Sequence, residues 1–255
     1  MMRKRIIWID VGTHFAQEHS SIFGSNVSFY RYIIKRFLSK KILNRGKFVS
    51  FKRLREIIYS RSRIRKRNSE FYTIFVEANP KIAYKKNIYI NADMVFNLAL
   101  TNDREIPFSI VKLYLGSGNE LSQGSSIFLE KKNVHRDNYV ETLGVFSGDF
   151  FRELELYLNK KFGNYDVLLR LNCEGAEDDV IYAAHNSFEG KLKLICGALK
   201  DVEETKGAEA SQKLDKFIND NKLLFEMFNS RIASWPKAYA AVLKLLEKTI
   251  RVSAV

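Results

Sequence analysis

The sequence predicts an α/β protein with a mostly parallel central sheet, and three observations carry that expectation. Strand-like and helix-like segments alternate along most of the chain. The runs at residues 6–9 and 167–169 are apolar at successive positions, as burial on both faces of a sheet requires. Three strand-like runs close on polar or acidic groups: Asp10 with Gly12, Glu77, and Asn172 with Glu174. Open parallel sheets bind ligands at that rim.

Taken in order, the first strand is expected over residues 5–9, where the apolar run stops at Asp10 and the chain turns through Gly12. Further strands are expected over 71–76, 86–90, 95–100, 108–115, 167–171 and 192–198. Helical spacing of apolar residues points to helices over 148–161, 176–185, 210–219 and 236–249. The last opens with Ser234 as its cap and Pro236 in its first turn. No internal repeat interrupts the series, and three prolines in 255 residues leave no linker to divide it. A single domain over 1–255 is expected, long enough to bury a core of its own.

The charge is unevenly placed. Of 42 Lys and Arg and 29 Asp and Glu, 15 bases and one acid, Glu56, fall between residues 31 and 67, a net of +14 there and −1 over the rest. Apolar residues recur in this segment at helical spacing: Phe29, Ile33, Ile34, Phe37 and Leu38, then Phe51, Leu54, Ile57 and Ile58, with a break at Gly46. The segment reads as a basic helical hairpin over 27–70, inserted in the domain as an attachment that docks by one apolar face. Its cations suit a solvated face, a cradle for an anionic substrate such as a phosphorylated or lipid-linked glycan, a membrane surface, or a nucleic acid held with the help of Tyr30, Tyr32 and Tyr59.

Export is not expected, because only four apolar residues follow the basic start before Asp10. No run approaches the roughly 18 apolar residues of a membrane span, so no transmembrane segment is expected. Cys173 and Cys196 both sit in apolar strand-like runs and read as reduced core thiols, which points to a cytoplasmic setting. Neither they nor the four histidines have metal-ligand spacing.

At the predicted rim, a glycine after the first strand admits a ligand close to the backbone, and an acid closing the second can accept both hydroxyls of a ribose. That pairing describes a nucleoside site. The strings "IDVGTHFAQE", "FVEANP" and "LLRLNCEGAEDDVI" resemble those of the FkbM-type class I S-adenosylmethionine-dependent methyltransferases, and "FNLALTND" through "GSGNELSQGSSIF" is similar to a further segment of that family. The resemblance covers roughly residues 6–184 without the basic segment, and "EGAE" at positions 174–177 is its most specific part.

The resemblance implies a Rossmann-like class I methyltransferase fold and transfer of a methyl group to a hydroxyl of a sugar or glycan-like acceptor. It implies that Asp10, Gly12 and His14 line the methionine end of S-adenosylmethionine, that Glu77 with Asn79 binds the ribose, and that Asn172, Glu174 and Glu177 lie near the reacting end. This sequence departs from the family strings at Ala16, at "EANP", and at Asn172, where the family carries an acid. Positions 12 and 77 also stand 65 apart, where about 20 is usual in the analogous dinucleotide fingerprint; the basic segment accounts for the surplus. A hydroxyl acceptor needs a base, for which His14, His135, Asp137 and Glu174 are the candidates, while His19 and His185 read as structural. The catalytic set is therefore Glu174, His135 and Asn172. The alternative is a non-catalytic protein that binds nucleic acid or another anion on the same scaffold, which the neutral Asn172 favours.

Overall fold

The computed structural model describes residues 4–37, 50–116, 124–228 and 235–252. Six strands form the central sheet in the order β3 (Met94–Phe96), β2 (Phe71–Val76), β1 (Arg5–Val11), β7 (Tyr165–Leu171), β8 (Leu192–Gly197) and β9 (Phe225–Met227). Every neighbouring pair is parallel. The order runs outward from β1 in one direction and from β7 in the other. The crevice beyond their carboxyl ends is thus the point where a doubly wound sheet reverses.

Alternation along the strands gives the sheet two apolar faces. Ile7, Ile9 and Val11 join Ile74, Leu169 and Ile195 beneath Phe151, Val180 and Ile181, which belong to α6 (Ser147–Phe162) and α7 (Glu177–Ser187). Ile6 and Trp8 join Phe75 and Leu168 on the other face. There they meet α1 (Gln17–Phe23), α2 (Asn26–Phe37), α3 (Phe51–Arg65) and α10 (Trp235–Val252) through Ile22, Phe29, Ile57 and Leu243. Side chains of this size stabilise the fold by about 1.5–3 kcal/mol each when fully buried.

The basic segment docks into this second core by an apolar face. Phe29, Tyr32, Ile33, Ile57 and Ile64 are all buried in it. Ser50 caps α3 by accepting the Arg53 N–H at 3.2 Å. Arg61, 4% exposed, donates to the carbonyls of Ser21, Gly24 and Ser25 and to Asn26 Oδ1, closing the carboxyl end of α1. The expected turn at Gly46 lies outside the described residues, as does the Ser234 cap.

A second sheet has the order β4 (Ala99–Thr101), β6 (Val134–Phe146), β5 (Phe108–Gly116), with β5 antiparallel to β6. Two expected strands are corrected. The strand at 95–100 is two strands in two sheets, split at Asn97, whose amide donates to the carbonyls of Glu77 and Ala78 at 2.8 and 3.2 Å. The strand at 86–90 is instead a helical turn, Lys86–Tyr89, following another at Pro80–Ala83. Only Ile88 of that run is buried, so the short apolar run marked one anchor and no sheet position. β6 was missed because residues 135–139 are exposed and therefore polar in sequence. Short β9, α1 and the helix α8 (Lys200–Lys206) also escaped the sequence reading, whereas helix α9 (Ala208–Asp220) did not. No described helix is long and apolar enough to cross a membrane.

Candidate functional site

Three strand ends and two loops build the crevice. After β1 the chain turns at Gly12, with φ +70°, where a Cβ would stand 2.1 Å from the Asn172 carbonyl oxygen. Only glycine allows that approach. The Gly12 N–H donates to the Val76 carbonyl and the Asn172 N–H to the Val11 carbonyl, both at 2.9 Å, so the ends of β1, β2 and β7 are tied together. The Thr13 hydroxyl donates to the Asp10 carbonyl at 2.7 Å. His14 and Ala16 then take left-handed conformations, with φ 51° and 49°.

Glu77 holds this first loop from across the crevice. Its carboxylate accepts the His14 N–H at 2.6 Å on one oxygen and the Asn79 N–H at 2.9 Å on the other. Burial pushes its pKa up to about 7, against the two backbone donors, which favour the ionised form. Asn79 in turn caps the helix Pro80–Ala83 by accepting the Lys81 N–H at 3.0 Å.

The second loop follows β7 and is held mainly by its own sequence. Glu174 and Gly175 have φ 57° and 117°, and the Glu177 carboxylate accepts both their N–H groups, at 2.7 and 2.8 Å. Burial raises the Glu177 pKa to about 7. The Glu174 side chain is ion-paired with Lys131, which also reaches Asp201 at 2.8 Å. Burial works against the Lys131 charge, but Glu174 and Asp201 outweigh it and hold the ammonium above its ordinary pKa. The Ser126 hydroxyl donates to the Glu174 carbonyl at 2.7 Å, which fastens the segment after β5 onto the loop.

Between the loops lies a cleft of about 680 Å³, part of it open to bulk water. Gly12, His14, Glu77, Asn79, Asn172, Cys173 and Glu174 line one side of it; Leu98, Leu100, Leu113 and Ile127 give it an apolar wall. Six predicted site residues are thus brought together: Gly12, His14, Glu77, Asn79, Asn172 and Glu174.

Three expectations are corrected. Asp10 is fully buried and absent from the cleft lining. Alternation along β1 turns its side chain to the face of Trp8, where Oδ1 pairs with Arg170 Nη1 at 2.8 Å. Burial raises its pKa to about 6 against the pull of Arg170. His135 and Asp137, as candidate bases, are exposed on β6 and do not line the cleft, because the outer part of that ribbon is solvated. Cys173 is half-buried in the cleft lining, while Cys196 is a core thiol whose pKa burial pushes up. His19 lies in the core, with Nε2 3.3 Å from Thr73 Oγ1 and a pKa lowered by burial to about 3; His185 packs on Phe217.

The sequence reading missed Arg170 and Lys131. Arg170 had a signal, a lone cation inside "VLLRL", since a charge in a strand buried on both faces needs a partner. It contacts Asp10, the Gly12 carbonyl at 3.0 Å and Glu18 at 3.4 Å. Lys131 had none, because it sits in a polar run that meets Glu174 only in three dimensions. No family model matches the chain, and no curated protein or solved structure matches it either.

Proposed function

We propose that the chain is an S-adenosylmethionine-dependent methyltransferase of the FkbM type acting on a hydroxyl of a sugar or glycan-like acceptor. The observation that carries the reading is the position of the cleft, at the reversal point of an all-parallel sheet, with Glu77 closing β2 beside the Gly12 turn. The residues fit the cofactor in part. Gly12 lines the cleft with backbone alone, its missing side chain giving way to the Asn172 carbonyl behind it. Each Glu77 oxygen accepts one backbone N–H and retains capacity for a ribose hydroxyl. Leu98 and Leu100 offer an apolar wall to a base. Asp10 has no part in this, being committed to Arg170.

The cofactor, when bound, supplies an electrophilic methyl on a sulfonium. The chain's own work is to orient the acceptor and take its hydroxyl proton. Glu174 is the carboxylate placed for that proton, with Lys131 holding it by an ion pair; Asn172 acts through hydrogen bonds alone. A second reading, a ligand-binding protein without turnover, is favoured by the neutral Asn172 and by the ion pair that already engages the Glu174 carboxylate.

Calorimetric titration with S-adenosylhomocysteine tests the proposal. The wild-type chain should bind, and Glu77→Ala should lose about 1–3 kcal/mol of affinity, the range for hydrogen bonds to a charged group. Absence of binding to the folded wild type overturns the methyltransferase reading. Binding without methyl transfer to any hydroxyl acceptor supports the second.

A further inference from the structure

The cleft leaves the basic segment unused, yet its two described helices expose an uncommon mixture of side chains on one surface. Of the apolar residues expected to dock, Phe29, Ile33 and Ile57 do, but others face water. On α2, Val27, Tyr30 and Ile34 follow one another at single-turn spacing and are 59, 49 and 53% exposed. On α3, Phe51 and Ile58 stand two turns apart and are 92 and 39% exposed. Tyr30 and Ile58 line one groove between the helices together with Arg65 and Lys66. Arg65 also reaches Asn26 Oδ1 at 2.7 Å, so the two exposed stripes share a surface.

Cations frame these apolar side chains. Arg31 and Lys35 on α2, and Lys52, Arg55 and Arg65 on α3 with Lys66 just beyond it, are exposed. The single acid between residues 31 and 67, Glu56, already faces Arg53 and Lys244, at 3.3 and 3.8 Å. In the groove's wall, Arg61 donates only to neutral oxygens, so no acid among its contacts cancels its charge.

A merely solvated face would carry the charges without the stripe of Val, Ile and Phe. A single-stranded nucleic acid is gripped by stacked aromatics beside cations, and here aliphatic side chains share the surface equally. Aliphatic and aromatic side chains rimmed by Lys and Arg match a lipid interface, where the former enter the acyl boundary and the latter meet anionic headgroups. We propose that the exposed α2–α3 face is a docking surface for an anionic lipid membrane. Docking there does not depend on methyl transfer and holds whichever ligand fills the cleft.

The full chain is mixed with vesicles of phosphatidylcholine alone or of phosphatidylcholine with phosphatidylserine, and the bound fraction is read by sedimentation across a salt series. Binding should require phosphatidylserine and weaken as salt rises. Arg55→Glu with Lys66→Glu should weaken it by at least about 10-fold, since each basic residue near an anionic surface contributes roughly 5-fold. Ile34→Ser with Ile58→Ser keeps every charge and should still weaken it by about 10-fold. All four side chains are exposed, and an unchanged unfolding midpoint verifies that the fold is kept. Equal binding to both vesicles overturns the proposal. So does an isoleucine variant that binds like wild type; if it also binds an RNA oligonucleotide with a steep salt dependence, the face belongs to nucleic acid.

Discussion

The two loops of the cleft are held in opposite ways. The first, from Gly12 to Ala16, is fixed from far along the chain: by Glu77, by the Val76 carbonyl and by the close approach of Asn172. The second, from Asn172 to Ala176, is fixed largely from within, by Glu177 three residues beyond Glu174, and only then fastened by Lys131 and Ser126. Both keep non-glycine residues at positive φ, a conformation that persists only where surroundings over-determine it. The contrast shows that a strained rim can be maintained by long-range clamps or by a local one. Long-range clamps can fail through changes anywhere along three strands.

The largest expected effect separates the two glycines. At Gly12 the added Cβ meets a backbone carbonyl at 2.1 Å, so Gly12→Ala must pry β1 from β7 and should destabilise by more than about 4 kcal/mol. At Gly175, with φ +117°, the Cβ meets both branches of the Thr205 side chain at 2.7 and 2.8 Å and the Phe128 ring at 3.0 Å, side chains that can shift where a backbone carbonyl cannot; Gly175→Ala should cost less, about 2–4 kcal/mol, from backbone strain and crowding together. Urea unfolding of both variants makes the comparison, and equal losses would break it.

Next comes the fastening of the second loop. Lys131→Met leaves Glu174 and Asp201 without their shared cation and should cost about 3 kcal/mol at neutral pH. A variant as stable as wild type at pH 7 would show that Glu177 alone holds the loop.

The smallest effect is a pH dependence that both loops share. Glu77 and Glu177 have folded pKa values raised by burial from 4.5 to about 7. Between those values the folded chain holds more protons on these carboxyls than the unfolded chain, so their contribution makes stability fall as pH rises through that window. A saturating ligand that bonds to ionised Glu77 should reverse the share of the first loop and leave that of the second. Urea midpoints at pH 5 and 8, with and without S-adenosylhomocysteine, measure this; a ligand effect independent of pH would remove Glu77 from the binding site.

Much of the fold was legible in the sequence because its signals are local. β1, β2, β7 and β8 announce themselves as apolar runs, and α6, α7, α9 and α10 as helical spacing, since two-sided burial leaves those marks on short stretches. The rim was legible for the same reason: polar groups directly after buried strands located Gly12, Glu77, Asn172 and Glu174. β6 left no such mark, because its outer residues face water and their polarity looks like a loop.

What the sequence determined by itself was therefore which residues stand at strand ends; which of them face the cleft was decided only in three dimensions. Asp10 and Glu77 looked equivalent, an acid closing each of two adjacent strands. One step of alternation beyond Ile9 puts the Asp10 carboxyl on the Trp8 face, and Arg170, directly opposite it in the β1–β7 register, keeps it there. Glu77 lies past the last residue of its strand, where the backbone is free to turn the carboxylate toward the His14 and Asn79 N–H groups. The basic segment divides in the same way. Its charge can be counted from the sequence, but the meeting of Ile57 and Ile64 with α10 makes it core, and the exposure of Val27, Tyr30, Ile34 and Ile58 makes it a surface. Both follow from the packing of helices distant in the chain, and local spacing carries no information about that packing.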